Sequence, residues 1–136
     1  MSYLLDTNVI SETVRSQPDE RVLEWLDKTP DDALHVSVLT LGEIRKGIEK
    51  MARSERRERL RVWLEHELPE WFEDRVLAVD IAVAERWGVL CAQAGQTPPA
   101  IDALLAATAL QHGLRLVTRN EQDFTFPGLE VINPWK

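Results

Sequence analysis

Short apolar runs alternate along this chain with longer segments whose apolar residues recur every three or four positions. Tyr3-Leu4-Leu5 reads as a short buried strand, and a helical stretch follows Asp6-Thr7-Asn8. Pro18 opens a helix whose apolar face is Val22, Leu23 and Leu26. Leu34 to Leu39, with Val36 and Val38, predicts a second strand. From Leu41 the spacing turns helical, through Ile44, Ile48 and Met51. A basic helical segment continues through Leu60, Trp63 and Leu64. Val76-Leu77-Ala78-Val79 predicts a third strand, with Asp80 capping the helix after it. Pro98-Pro99 breaks the chain. The next helix carries Ile101, Leu104, Leu105 and Ala109, and Gly113 ends it. Leu114 to Thr118 predicts a fourth strand and Glu130-Val131-Ile132 a short fifth. Such alternation predicts βαβ units, hence an α/β fold with a mostly parallel sheet covered by helices on both faces. Ligands of such sheets bind beyond the carboxyl ends of the strands.

A length of 136 residues suits a single domain, 1–136, with one core. Hydrophobic residues make up 44% of the chain and charged residues 29%, which sets disorder aside. No apolar run approaches the ~20 residues of a membrane span. The N-terminus lacks the basic and apolar regions of a signal peptide, so a cytoplasmic protein is expected. Cys91 is the only cysteine, and His35, His66 and His112 match no zinc spacing. A net charge of −7, from 16 basic and 23 acidic residues, excludes a generic nucleic-acid coat. It does not exclude an enzyme that meets phosphates through a bound metal.

The strand-end rule gathers several polar residues near one rim. Asp6 ends the first strand. Glu43 is placed in the first turn of the helix after the second strand, and Asp102 in the first turn after the proline break. Asn120 and Asp123 follow the fourth strand. Each has an ordinary structural explanation. Asp6 or Thr7 suits a helix cap, and Thr40 to Glu43 fits a capping box. Asp102 complements a helix dipole, and Asn120 and Asp123 are turn residues. Together they are harder to explain away. Two unit charges at 4 Å repel by roughly 4 kcal/mol at an effective dielectric of 20, and a whole domain is stable by only about 5–15 kcal/mol. A hard divalent cation, Mg²⁺ or Mn²⁺, is the natural counterion for several carboxylates. Thr7, Asn8, Ser37 and Thr118 are neutral groups at the same rim that could orient the acids or their waters.

These residues carry a resemblance. Leu5-Asp6-Thr7-Asn8, Leu39-Thr40-Leu41-Gly42-Glu43-Ile44, the run Asp102 to Ala109, Leu116-Val117-Thr118-Arg119-Asn120 and Asp123-Phe124 resemble, in order, the motifs of PIN-domain nucleases. The closing Asn133-Pro134-Trp135 is similar to the VapC and FitB-like toxins of bacterial toxin–antitoxin pairs. The resemblance covers essentially the whole chain. It implies a three-layer α/β/α sandwich, Mg²⁺ or Mn²⁺, and an endoribonuclease whose metal-activated water leaves 5′-phosphate and 3′-OH ends. It implies Asp6 and Asp102 as principal metal ligands, with Glu43 sharing the metal or orienting the water. A fourth acid often follows the fourth strand, where this chain has Asn120. Asp123 is the nearest acid and could take that role, or Asn120 could supply a neutral oxygen. The resemblance further implies an RNA substrate, a VapB-like antitoxin lying across the active-site side, and a homodimer.

The run Arg45 to Arg61 holds Arg45, Lys46, Lys50, Arg53, Arg56, Arg57, Arg59 and Arg61. It is either a solvated helix face paired with Glu49, Glu55 and Glu58, or a surface that holds RNA or an acidic partner. The five tryptophans are expected to fill cores or interfaces rather than to stack bases. Two other classes fit less well. A haloacid-dehalogenase-like phosphatase needs a second acid where Asn8 stands. A receiver-like domain could use Asp80 as phospho-acceptor, but it needs an acidic pair after the first strand and a lysine after the last, where only Lys136 is available. A catalytically silent PIN-like domain that binds RNA or protein is the remaining alternative, and Asn120 is the feature that admits it.

Overall fold

Leu4 and Leu5 are neighbours in sequence, yet each is fully buried in a different core, one on either face of the first strand. A strand turns successive side chains to opposite faces, so a strand apolar at both positions must be covered on both sides. The computed structural model, which describes residues 1–136, builds this strand and four others into a five-stranded sheet. The strands are β1 (Tyr3–Leu5), β2 (Leu34–Ser37), β3 (Val76–Leu77), β4 (Arg115–Val117) and β5 (Val131–Ile132). Their order is β3-β2-β1-β4-β5, and every pairing is parallel.

Helices α1 (Thr7–Glu12), α2 (Glu20–Lys28) and α3 (Val38–Glu49) cover one face, followed by α4 (Glu55–Val62) and α5 (Leu68–Phe72). Leu5, Val36 and Val117 meet Val9, Val22, Ile44, Leu68 and Phe72 there. On the other face Leu4 and Leu116 pack against Leu105 and Ala109 of α7 (Ala100–His112). Outside α7 lies α6 (Ile81–Gln93), whose Val83 and Leu90 bury Ala106 and Ala107. Helix α7 is thus sandwiched, which is why it is apolar around much of its circumference. The three layers α/β/α match the expected fold class. No helix is long and apolar enough to cross a membrane.

Several boundaries differ from the sequence reading. β2 stops at Ser37 because its hydroxyl accepts from the Leu39 N–H at 3.0 Å and starts α3 at Val38. Thr40 is therefore inside the helix, fully buried with an unpartnered hydroxyl, and forms no capping box. Glu43 accordingly falls in the second turn of α3. β3 ends at Leu77, and Ala78 and Val79 lie outside the strand and exposed. Asp19, not Pro18, begins α2, its carboxylate accepting from the Arg21 N–H at 2.9 Å. Leu23 is exposed, and Trp25 packs on the core in its place. Asp80 caps α6 as expected, accepting from Val83 at 3.0 Å. Gly113 ends α7 with φ at +66°, a conformation that glycine adopts without a Cβ clash.

The basic segment is not one regular helix. Between α4 and α5 a wider turn, Trp63–Glu67, runs with i→i−5 bonding, as from Leu68 to Trp63. Pro69, in the first turn of α5, has no N–H and its ring crowds the carbonyl four residues back, which is a sufficient cause for the widening.

Candidate active site

The chain runs β1 to β2 to β3 in one direction along the sheet, then returns to build β4 and β5 on the other side of β1. The reversal leaves a crevice between β1 and β4 at their carboxyl ends, where crossovers diverge and backbone groups are free to meet a ligand. Asp6 and Thr118 are the residues that leave these two strands. The Asp6 N–H donates to the Val117 carbonyl at 2.9 Å, which continues the ladder one residue past the strand.

Asp6 is 7% exposed and both of its oxygens are engaged. Oδ1 accepts from the Thr7 N–H at 2.8 Å, capping α1. Oδ2 accepts from the Thr118 hydroxyl at 2.8 Å and, more weakly, from Asn8 Nδ2 at 3.4 Å. The ordinary reading of Asp6 as a cap is therefore correct and incomplete. Thr7 Oγ1 donates to Glu43 Oε1 at 2.6 Å, fixing an acid that comes from 36 residues away. The Thr118 hydroxyl also accepts from the Asn120 N–H at 3.0 Å, and Asn8 Oδ1 accepts from the Arg119 N–H at 3.3 Å.

Electrostatics ties Asp102 and Asp123 to the same place. Burial pushes the Asp6 carboxyl above its ordinary range, against the pull of Thr118 and Thr7, and the charges of Glu43 and Asp123 push the same way. Burial likewise raises Asp102, reinforced by Asp123, Asp6 and Glu43. Asp6 and Asp102 thus each feel acid charge from other elements, and none of the four acids forms a salt bridge. Asp102 stands in the first turn of α7 with no hydrogen bond to cap it. Asp123 is exposed on a short 3₁₀ turn, Glu121–Asp123, after β4. Asn120 is exposed and enters the network through its main chain. Ser37 is fully buried with its hydroxyl engaged as the α3 cap, so it orients the helix rather than an acid.

The donor set is all carboxylate and hydroxyl oxygen, with no histidine or cysteine, which suits a hard cation. No three acids, histidines or cysteines form a ready ligand cluster. An ion of the Mg²⁺ type keeps several waters and takes only one or two carboxylates, so it does not require a preformed protein cage. The residues therefore fit such an ion. A groove of about 680 Å³, lined by Leu23, Leu26, Trp63 and Trp71 among others, holds none of the candidate acids.

The basic run divides. Arg45 pairs with Glu65 at 2.8 Å, Arg57 with Glu49 at 3.2 Å, and Arg61 with Glu58 and Glu65. Lys46, Lys50, Arg53, Arg56 and Arg59 are exposed and enter no ion pair with the acids. Glu65, distant in sequence from its Arg45 partner, was not foreseen, and Glu55 pairs with nothing. Trp63 and Trp135 are in the main core, with Trp25 and Trp71 packed against it, so these rings fill space as expected. Sequence reasoning missed Glu12, which is 3% exposed. Its carboxylate accepts from the Asp19 N–H at 2.7 Å and pairs with Arg15 at 3.1 Å, tying α1 to the start of α2. Nothing in the local sequence distinguishes it from a surface glutamate.

Comparison with known proteins agrees with this geometry. The family model described as PIN domain matches residues 3–126. The chain is 38% identical to a protein of Sinorhizobium fredii named VapC ribonuclease Y4jK, covering 98% of this chain and 97% of that one. It is 37% identical to Toxin FitB of Neisseria gonorrhoeae, covering 97% of each. The crystal structure of FitAcB from Neisseria gonorrhoeae superposes with a TM-score of 0.89 at 36% identity, over 98% of both chains. With its parallel sheet, its acids at the switch point and a match over nearly its whole length, this chain belongs to the PIN-domain family.

Proposed function

We propose that this chain is the endoribonuclease toxin of a toxin–antitoxin pair, hydrolysing RNA phosphodiester bonds with the help of a bound Mg²⁺ or Mn²⁺. The observation that carries the reading is Asp6. It is a buried carboxylate at the switch point, oriented by Thr118 and Thr7, feeling the acid charges of Glu43 and Asp123, and in no salt bridge. Such a site costs stability unless a cation is its working partner. The names VapC ribonuclease and Toxin FitB support the activity, and with it an expected VapB-like antitoxin.

When bound, the ion lowers the pKa of a water and stabilises charge on the phosphate. Asp6 and Asp102 would hold it. Thr118 and Asn8 keep Asp6 Oδ2 in one orientation, so that little rearrangement is needed on binding. Glu43, set by Thr7, would share the ion or orient the attacking water. Asp123, with Asn120, would complete the oxygen set from the exposed side.

The test is brief expression of the protein beside its Asp6→Asn variant, with new RNA 5′-monophosphate ends mapped across the transcriptome. Discrete ends in the first sample alone are expected, with at least a ~100-fold loss in the variant. If both soluble, partner-free proteins give the same ends, Asp6 is not the centre of the site.

A further inference from the structure

A chain of net charge −7 with four acids around one crevice repels a polyanion. Bringing a nucleic-acid backbone there calls for a cation at the rim that the acids themselves do not neutralise. Arg119 meets that requirement. It directly follows Thr118, whose hydroxyl is bonded to Asp6. Its main chain is pinned on both sides, the N–H donating to Asn8 Oδ1 and the carbonyl accepting from Asn133 Nδ2, each at 3.3 Å. Its side chain is exposed and forms no salt bridge. Glu121, two residues on, is taken by Lys136 at 2.7 Å and by Asn133 at 3.1 Å.

The guanidinium lies 5.5 Å from the centroid of the Trp135 ring, within cation–π range. Trp135 is itself fixed: it belongs to the main core, and its N–H donates to Asn133 Oδ1 at 2.9 Å. The stack holds the guanidinium on Trp135 and out of any ion pair, and it limits the freedom that a ligand contact would have to freeze.

We propose that Arg119, resting on Trp135, binds a backbone phosphate of single-stranded RNA adjacent to the one being cleaved. This rests on the nuclease reading above. The planar guanidinium fork matches phosphate oxygens, and the residue's place in the chain, directly after Thr118, suits a flanking nucleotide. The competing account is a stack that merely anchors the C-terminal segment.

The experiment measures binding of a short labelled RNA of randomised sequence by anisotropy over a salt series. Mn²⁺ is present and Asp102→Asn is the background that suppresses cleavage. Arg119→Ala is expected to weaken binding roughly fivefold to tenfold at low salt. It should also reduce the slope of log K against log salt by about 0.7, the value for one phosphate of a single strand. Arg119→Lys keeps the charge and should restore the slope. In the otherwise unmodified protein, Arg119→Ala should raise KM for RNA cleavage while kcat holds. Unchanged affinity and slope in Arg119→Ala, with or without a lower melting temperature, would overturn this assignment and leave the nuclease reading intact. A parent protein that neither binds nor cleaves RNA would overturn both.

Discussion

Asp6 uses its two oxygens differently. Oδ1 caps α1 through the Thr7 N–H, while Oδ2 is held by the Thr118 hydroxyl, 112 residues away in sequence. One residue therefore starts a helix and ties that start to the end of β4. Thr118 is the more informative target, because it touches Asp6 without being an acid. Thr118→Val removes the donor to Oδ2 and the acceptor for the Asn120 N–H, while preserving shape. Mn²⁺ affinity, measured by titration, should fall about 10- to 100-fold, the usual loss when an outer support of a ligand is removed. Unaltered affinity would mean that Asp6 is oriented by its cap and Asn8 without Thr118.

At the scale of elements, the site depends on where α3 begins. Ser37 supplies a hydroxyl cap at the end of β2, three residues before the expected cap Thr40, so the helix starts at Val38 and delivers Glu43 to Thr7. Ser37→Ala should lower stability by about 1 kcal/mol, or roughly 3–5 °C in melting temperature for a chain of this size. Residual cleavage should survive, since Glu43 keeps its bond to Thr7. Melting curves and initial rates on the purified variant check both. Total loss of cleavage without loss of stability would show that Ser37 acts at the site directly. The apolar periodicity located α3 correctly but not its start, because the apolar residues Val38 and Leu39 satisfy strand and helix patterns equally well.

Across the whole molecule, the parallel order β3-β2-β1-β4-β5 concentrates acid charge on one rim, and pH dependence follows. Asp6 and Asp102 have raised values in the folded state, so the fold binds their protons more tightly than the unfolded chain does. Without metal, stability from these two groups falls as pH rises from the ordinary value of 3.8 through their raised values, and stays lower beyond. Asp102→Asn removes one such group. In EDTA at neutral pH it should melt roughly 1–3 °C above the parent, a modest gain because Asp102 is partly exposed. The gain should shrink as pH falls toward 3.8. Mn²⁺ at 100 times its Kd should reverse the order, stabilising the parent by about 2.7 kcal/mol. Identical melting of the two proteins under all these conditions would remove the case for charge crowding at the crevice.

Much of this was legible in one dimension. Strand and helix periods, Gly113 and Asp80 at helix ends, and the positions of acids after strands all follow from local chemistry, which is written in adjacent residues. By that route the sequence alone determined an α/β chain with a parallel sheet and Asp6, Glu43, Asp102 and Asp123 as its candidate acids. What it could not determine were facts about pairs distant along the chain. Thr118 on Asp6, Thr7 on Glu43, Arg45 on Glu65 and Trp135 under Arg119 arise only when β1, β4 and the helices close around one crevice. The same holds for burial. Glu12 and Asp6 are each a lone acid in a short polar stretch, and only packing takes both out of water. Hydrogen bonds and desolvation act over a few ångströms of space rather than a few residues of chain, so those decisions belong to the tertiary structure.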